Sequence, residues 1–111
     1  MSLRPDNMQV DRVFSLVTKN DAGALEKYIL TNPQELHAKS FSGASLLHLA
    51  CQKNLPDIAQ KLLDLGADPN AHNVRGNTPL HYACLYGSLG AALILAEAGA
   101  ETYPNNKVKN P

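Results

Sequence analysis

The sequence predicts an all-α solenoid in which short helix-turn-helix units stack on one another, with hairpin loops projecting from the stack. A nine-residue segment that begins at Gly43 returns at Gly76, 33 residues later, with Leu, His, Ala and Cys in the same places. Downstream, segment 62–68 is similar to segment 95–101, and the two end in Gly-Ala-Asp and Gly-Ala-Glu, respectively. A fixed period of this length is typical of repeated supersecondary units, each too small to bury its own apolar face.

The first unit, residues 10–39, is the least regular. Segment 13–18 has helical apolar spacing but lacks the glycine and the histidine of the later units. Further along, Leu25, Tyr28 and Ile29 lie on one helical face. Because an end unit faces water on one side and tolerates divergence, we interpret residues 10–39 as a degenerate capping repeat. Residues 1–9 are predicted to be an N-terminal tail.

The second unit, residues 40–72, is predicted to hold a short helix over 45–51 and a longer one over 57–65. Pro56 suits the first turn of the longer helix, where a missing N–H costs nothing. Gly66 is expected to end that helix in a left-handed conformation.

In the third unit, residues 73–105, Thr78 is the predicted N-cap of the short helix and Pro79 its first residue. A second helix is predicted over 89–98, ended by Gly99. Residues 106–111 are predicted to begin a truncated further repeat or a tail.

Composition narrows the classes of function. Ten basic and ten acidic residues cancel, so net charge favours neither nucleic acid nor a membrane surface. No apolar run has the length of a membrane helix, and the first residues lack the apolar core of a signal peptide. Two cysteines at equivalent repeat positions make a poor disulfide framework. The predicted location is therefore the cytoplasm or the nucleus.

The third unit carries the residues by which the chain resembles the ankyrin repeat family, namely Gly76, Thr78-Pro79-Leu80-His81, Ala83, Gly87, Leu95 and Gly99-Ala100. The second unit departs with Ser45-Leu46 in place of Thr-Pro, which is expected to weaken a helix cap. It also has Asn54 in place of the glycine between its helices. The resemblance covers roughly residues 10 to 105. It implies a module that binds a partner protein on its concave face, without catalysis or a cofactor.

The resemblance also implies which residues contact the partner: Lys39, Phe41, Ser42, Gln52, Lys53, His72, Val74, Arg75, Asn77, Leu85 and Tyr86. Lys19 and Lys107 extend this set at its two ends. Its charged members are basic and none is acidic, which predicts an acidic partner segment steered by charge. The alternative is that these lysines are merely solvated. The competing function is a targeting or autoinhibitory arm of a larger enzyme whose catalytic domain lies outside these residues.

Two His-x-x-Cys pairs, His48 with Cys51 and His81 with Cys84, raise the question of a zinc site. We favour a structural interpretation. In this family the histidine steadies neighbouring loops by hydrogen bonds, and both cysteines are expected to face the core as small apolar residues. The segment 87–90 lacks the lysine of a phosphate loop. These observations argue against catalysis, metal binding and a small-molecule substrate, and the dispersed cations argue against nucleic acid.

Two further features stand apart from the predicted contact set. Leu93 and Ile94 occupy the positions of Gln60 and Lys61 in the second unit, which predicts a second apolar patch on the outer face. Asn70 lies in a pattern that resembles the one recognised by asparaginyl hydroxylase in this family, although Pro69 departs from it. Hydrogen bonding of Asn70 to the loop backbone is the simpler interpretation.

Overall fold

A computed structural model describes the backbone of residues 5–99 and the side chains from Arg12 onward. These residues form six α-helices: α1 (Pro5–Thr18), α2 (Ala22–Thr31), α3 (Leu46–Gln52), α4 (Pro56–Asp64), α5 (Pro79–Leu85) and α6 (Leu89–Glu97). A 3₁₀ helix, Pro33–His37, follows α2. Within this range there is no β-strand, which confirms the all-α fold. None of the described helices is long and apolar enough to cross a membrane.

The helices stack in two layers. The inner helices are α1, α3 and α5, with α3 packed against both of the others, and the outer helices are α2, α4 and α6, with α4 in the same middle position. Each unit thus contributes one helix to each layer. Among the described helices, the main contacts join neighbouring units, as expected of a solenoid.

The core lies between the two layers and repeats with the period of the sequence. Leu62 and Leu95 are equivalent positions in α4 and α6, and both are fully buried. Ala50 and Ala83 form a similar pair in α3 and α5. The first unit joins this core through Val17 and other apolar residues of α1 and α2, so its divergence leaves the buried positions intact.

The cap of α5 is as predicted, since Thr78 precedes Pro79 and its hydroxyl accepts the backbone N–H of His81. The expected weakening at α3 is wrong. Ser45 makes the same capping box with His48, with each side chain accepting a backbone N–H of the other residue. Serine and threonine are both strong N-caps, so losing the proline removes only a preset backbone angle.

Left-handed residues end the outer helices and make the turns. Gly66 and Gly99 follow α4 and α6 with φ of 109° and 94°, as predicted. Asn54, with φ of 55°, takes the place of Gly87 in the turn between the two helices of its unit. Asparagine tolerates this conformation better than most residues.

The first helix begins earlier than expected. α1 starts at Pro5, within the segment predicted to be a tail, because proline is preorganised for the first helical position. The repeat boundaries 10–39, 40–72 and 73–105 stay a prediction. Residues 106–111 lie outside the described residues.

Candidate partner-binding face

Each inner helix turns one stripe of side chains to solvent. In α3, Leu49 is half-buried, and Gln52 and Lys53 at its end are exposed, whereas the rest of the helix is buried. Positions 49, 52 and 53 lie on one helical face. The remaining sides of α3 are occupied by α1, α4 and α5. This stripe therefore marks the face of the inner layer that is open to a partner.

The stripe continues at equivalent positions of the neighbouring helices. In α5 it holds Tyr82, Leu85 and Tyr86, of which the last two are 73% and 51% exposed. In α1 it holds half-buried Leu16, and exposed Lys19 follows directly after the helix. Exposed Arg12 lies one turn before Leu16 on the same helix. We call this set the inner face: Arg12, Leu16, Lys19, Leu49, Gln52, Lys53, Tyr82, Leu85 and Tyr86.

Two hairpin loops border the inner face, and their tips are joined. Val74 at the tip of the second loop donates its backbone N–H to the carbonyl of Ser42 in the first, at 2.9 Å. A Cβ on Gly43 (φ 81°) would lie 3.2 Å from that same amide nitrogen, so the close approach requires glycine. Phe41 is fully exposed, and Val74 is 74% exposed. The joined tips thus offer two apolar side chains to solvent.

The second loop is fastened to the inner face by Asn73, a residue for which no role was predicted. Its side-chain oxygen accepts the backbone N–H groups of Arg75 and Asn77 at 2.9 and 3.0 Å. Its side-chain amide donates to the hydroxyl of Tyr82 at 3.1 Å. Asparagine at the start of a hairpin loop is the sequence signal for this kind of turn. Asn73 therefore fixes the backbone of the loop at Arg75 and Asn77 and also holds the side chain of Tyr82 on α5.

His48 ties the second unit to the third. Because its Nδ1 accepts the backbone N–H of Ser45, its Nε2 carries the proton and donates to the carbonyl of Asn77 at 2.7 Å. The ring of Tyr82 lies edge-on to the imidazole, with centroids 5.0 Å apart. Burial lowers the pKa of His48, outweighing the opposite effect of the Asn77 carbonyl. A neutral ring therefore holds the inter-unit bond, as the family resemblance implied.

The structure exposes nearly every predicted contact residue. Asn77 is the exception, because it is half-buried and its backbone serves His48 and Asn73. The exposed members are Lys39, Phe41, Ser42, Gln52, Lys53, His72, Val74, Arg75, Leu85 and Tyr86. Their contact with a partner stays a prediction. Lys107 lies outside the described residues. Arg12, Leu16, Leu49 and Tyr82 were missed. The last three are equivalent to one another at a spacing of 33 residues, but none is equivalent to a predicted contact residue.

The cations of this region form no salt bridge with another described residue. Among the described residues the single salt bridge joins Lys61 and Glu26 at 3.1 Å, on the outer helices α4 and α2. Asp57 and Asp64 also lie on α4, and Glu97 lies on α6. The inner face and the two hairpin loops instead carry exposed cations: Arg12, Lys19, Lys39, Lys53 and Arg75.

The two cysteines differ. Cys51 is buried, and burial raises the pKa of its thiol to about 12, which makes it a poor nucleophile. The expectation that Cys84 also faces the core is wrong, since Cys84 is exposed. No described helix pair packs beyond α5 and α6 to cover it. In the described part of the chain, no three His, Cys, Asp or Glu residues are grouped as metal ligands.

The predicted outer patch is apolar and open. Leu93 is 66% exposed and Ile94 is half-buried. Leu89 lies one turn earlier on α6 and is 75% exposed, although it was not part of the predicted patch. Whether this patch binds anything stays a prediction.

Comparison with known proteins agrees with this architecture. A family profile for ankyrin repeats, in three copies, matches residues 14–106. The chain belongs to the ankyrin repeat family. The crystal structure of the human ASB11 ankyrin repeat domain superposes with a TM-score of 0.70 at 30% identity, covering 80% of this chain and 40% of that one. Human NF-kappa-B inhibitor alpha is 48% identical over 52 residues, which cover 47% of this chain and 16% of that protein.

Ankyrin repeats are protein-interaction modules, and some lie within enzymes. The Arabidopsis thaliana ADP-ribosylation factor GTPase-activating protein AGD2 is 34% identical over 91 residues, which cover 82% of this chain and 11% of that protein. The Hydra vulgaris tyrosine-protein kinase HTK16 is 32% identical over 77 residues, 66% of this chain and 10% of the kinase. The chain thus spans a small part of each of these relatives.

Proposed function

We propose that this chain binds a partner protein through its inner face, the concave side of the stack in this family, together with the two hairpin tips. The observation that carries the proposal is the concentration of exposed aromatic and basic side chains on that side. Phe41 in the first hairpin loop and Tyr86 at the end of α5 each expose an aromatic ring. Exposed aromatic and arginine side chains are the residue types that most often dominate binding energy at protein interfaces.

The partner segment is acidic. Five exposed cations lie on the inner face and the two hairpin loops, where none of them forms a salt bridge with a described residue. Charges of one sign on one surface accelerate association with a partner of the opposite sign. Surface lysines are ordinarily solvated, so the test must show that these particular charges affect binding.

Affinity capture from cell lysate tests the binding surface. We compare the unaltered chain with the double variant Phe41→Ala, Tyr86→Ala by quantitative mass spectrometry, after circular dichroism confirms that both are folded. Leu30→Ala is the matched control, because Leu30 is 65% exposed on the outer helix α2. Proteins retained by the control and reduced about tenfold by the double variant support the proposal. Equal capture by all three would move the binding surface elsewhere.

The charge hypothesis needs its own measurement. With a partner identified by capture, Lys53→Glu combined with Arg75→Glu is expected to slow association about tenfold at low ionic strength. The difference should shrink as salt screens the charges. Lys27→Glu is the control, since Lys27 is exposed on α2. An on-rate unchanged by the double reversal would reject the steering of an acidic segment.

We propose as a second candidate that these repeats are the targeting or autoinhibitory arm of a larger enzyme. The supporting observation is that the chain resembles about a tenth of a GTPase-activating protein and of a tyrosine kinase. Immunoblotting of native tissue with an antibody against the chain tests this idea. A band far above 12.0 kDa would agree with it, whereas a band at that mass alone would oppose it.

We place the protein in the cytoplasm or the nucleus. Both cysteines are free thiols, and the exposed Cys84 suits a reducing compartment. Immunofluorescence of the endogenous protein tests this placement, and an exclusively secretory pattern would contradict it.

A further inference from the structure

Apolar and charged side chains are separated along the inner face. The third unit contributes only Tyr82, Leu85 and Tyr86 to the stripe, and none of these carries a charge. The first and second units contribute the cations Arg12, Lys19 and Lys53, and their apolar members, Leu16 and Leu49, are half-buried. The exposed apolar area of the stripe therefore lies at one end, and its positive charge lies at the middle and the other end.

The apolar end is an ordered cluster. The rings of Tyr82 and Tyr86 lie 6.0 Å apart, and Tyr82 is held on its other side by His48 and Asn73. Leu85 stands beside them as one of the most exposed apolar residues of the described chain. Rigid aromatic side chains lose little entropy on binding, which suits an anchor site for a partner's apolar side chain.

Two acidic residues, Asp21 and Asp57, are close in sequence to Lys19 and Lys53 but do not pair with them. The Oδ1 of Asp21 accepts the backbone N–H of Ala24 as the N-cap of α2. Asp57 lies in the first turn of α4. Carboxylates at these positions interact with the positive ends of the outer helices, and neither forms a salt bridge with Lys19 or Lys53. The cations of the stripe are thus available to carboxylates of a partner.

We propose that this polarity fixes the orientation of the bound segment along the inner face, with its apolar anchor at the α5 end and its carboxylates toward α3 and α1. The inference rests on the proposed function and adds the direction of binding. Packed helices lie about 8–10 Å apart, so α5 and α1 are about 20 Å apart across α3. An extended segment spans that distance with about six residues. The partner motif is therefore an apolar cluster and an acidic run separated by a few residues.

Paramagnetic relaxation enhancement tests the orientation directly. The probe is a synthetic peptide of about 14 residues, with Leu-Phe-Leu at one end, a short Gly-Ser spacer and a run of glutamates. A nitroxide is attached at the apolar end in one sample and at the acidic end in another. Each is added to the ¹⁵N-labelled chain. The apolar label should broaden amides around Leu85, and the acidic label those around Lys19 and Lys53. Reversed or uniform broadening would overturn the proposal.

Matched variants separate the two ends. Leu85→Ser should weaken binding of the peptide about tenfold. It should also abolish the selective broadening of nearby amides by the nitroxide at the apolar end, whereas Leu30→Ser should have neither effect. Replacing the glutamates of the peptide by glutamine should weaken binding by a similar factor. No binding at about 1 mM peptide, or equal binding of the glutamine peptide, would also refute the inference. If capture still depends on Phe41 and Tyr86 in that case, the proposed function stands and only the orientation fails.

Discussion

Replacing His48 by alanine should cost far more stability than the same change at His81, although the two residues occupy the same position in successive units. Both histidines accept a backbone N–H in a capping box, from Ser45 and from Thr78. His48 alone makes a described inter-unit bond, to the carbonyl of Asn77. It is also fully buried, while His81 is half-buried. The difference between the two variants therefore measures the inter-unit bond together with the deeper burial of His48.

The magnitudes follow from these contacts. Each hydrogen bond contributes about 1 kcal/mol net, and a buried group left without a partner costs about 1–3 kcal/mol. For His48→Ala we expect a loss of about 3 kcal/mol, from both ring bonds and from the space left beside Tyr82. For His81→Ala, water reaches the freed N–H of Thr78, so the expected loss is about 1 kcal/mol.

Urea denaturation followed by circular dichroism measures both losses. With a urea slope of about 1–2 kcal/mol/M for a small domain, the midpoint of His48→Ala should lie about 1–2 M below that of His81→Ala. The two variants lose the same atoms from equivalent helices, so each serves as the control of the other. Equal midpoints would show that the bond to Asn77 contributes nothing, which would refute the account of how the units are coupled.

Three further predictions concern the pH dependence of stability, a loop glycine and the two cysteines. Because the folded pKa of His48 is lowered, the unfolded chain binds a proton more readily; stability should fall as pH drops below about 6.5, and His48→Ala should flatten that slope in urea titrations. Gly43→Ala should cost about 1 kcal/mol more than Gly87→Ala in the same assay, because both glycines are left-handed but only Gly43 faces a backbone atom within 4 Å. Cys84 should react with a maleimide at pH 7 in mass-spectrometric labelling while Cys51 stays unmodified, and equal labelling would contradict the burial of Cys51.

The repeat itself explains how much of the fold could be predicted. The cap at Thr78 and the left-handed Gly66 and Gly99 are local features, and their residue types determine them. The cap at Ser45 is stronger than predicted, because the serine hydroxyl makes the capping hydrogen bond without the proline that usually follows it. Local chemistry was thus predictable wherever one residue type decides the backbone conformation.

Position within the stack was harder to predict. Cys51 and Cys84 are equivalent in sequence, yet one is buried and the other exposed, because burial depends on the neighbouring unit. Leu49 and Tyr82 were missed for a related reason. An apolar residue in a short helix is first interpreted as core, and only the packing of α3 between α1 and α5 shows which side stays open. The separation of charge from apolar area appeared only once that side was known.

The bond between the two hairpin tips has a consequence for the cost of binding. Because the Val74 amide donates to the Ser42 carbonyl, the loops that carry Phe41 and Val74 restrict each other's position. A ligand that contacts both tips therefore has to order less of the loop backbone, so the loops lose less conformational entropy on association. Breaking that bond should leave both side chains exposed yet lower the affinity of any ligand that uses both.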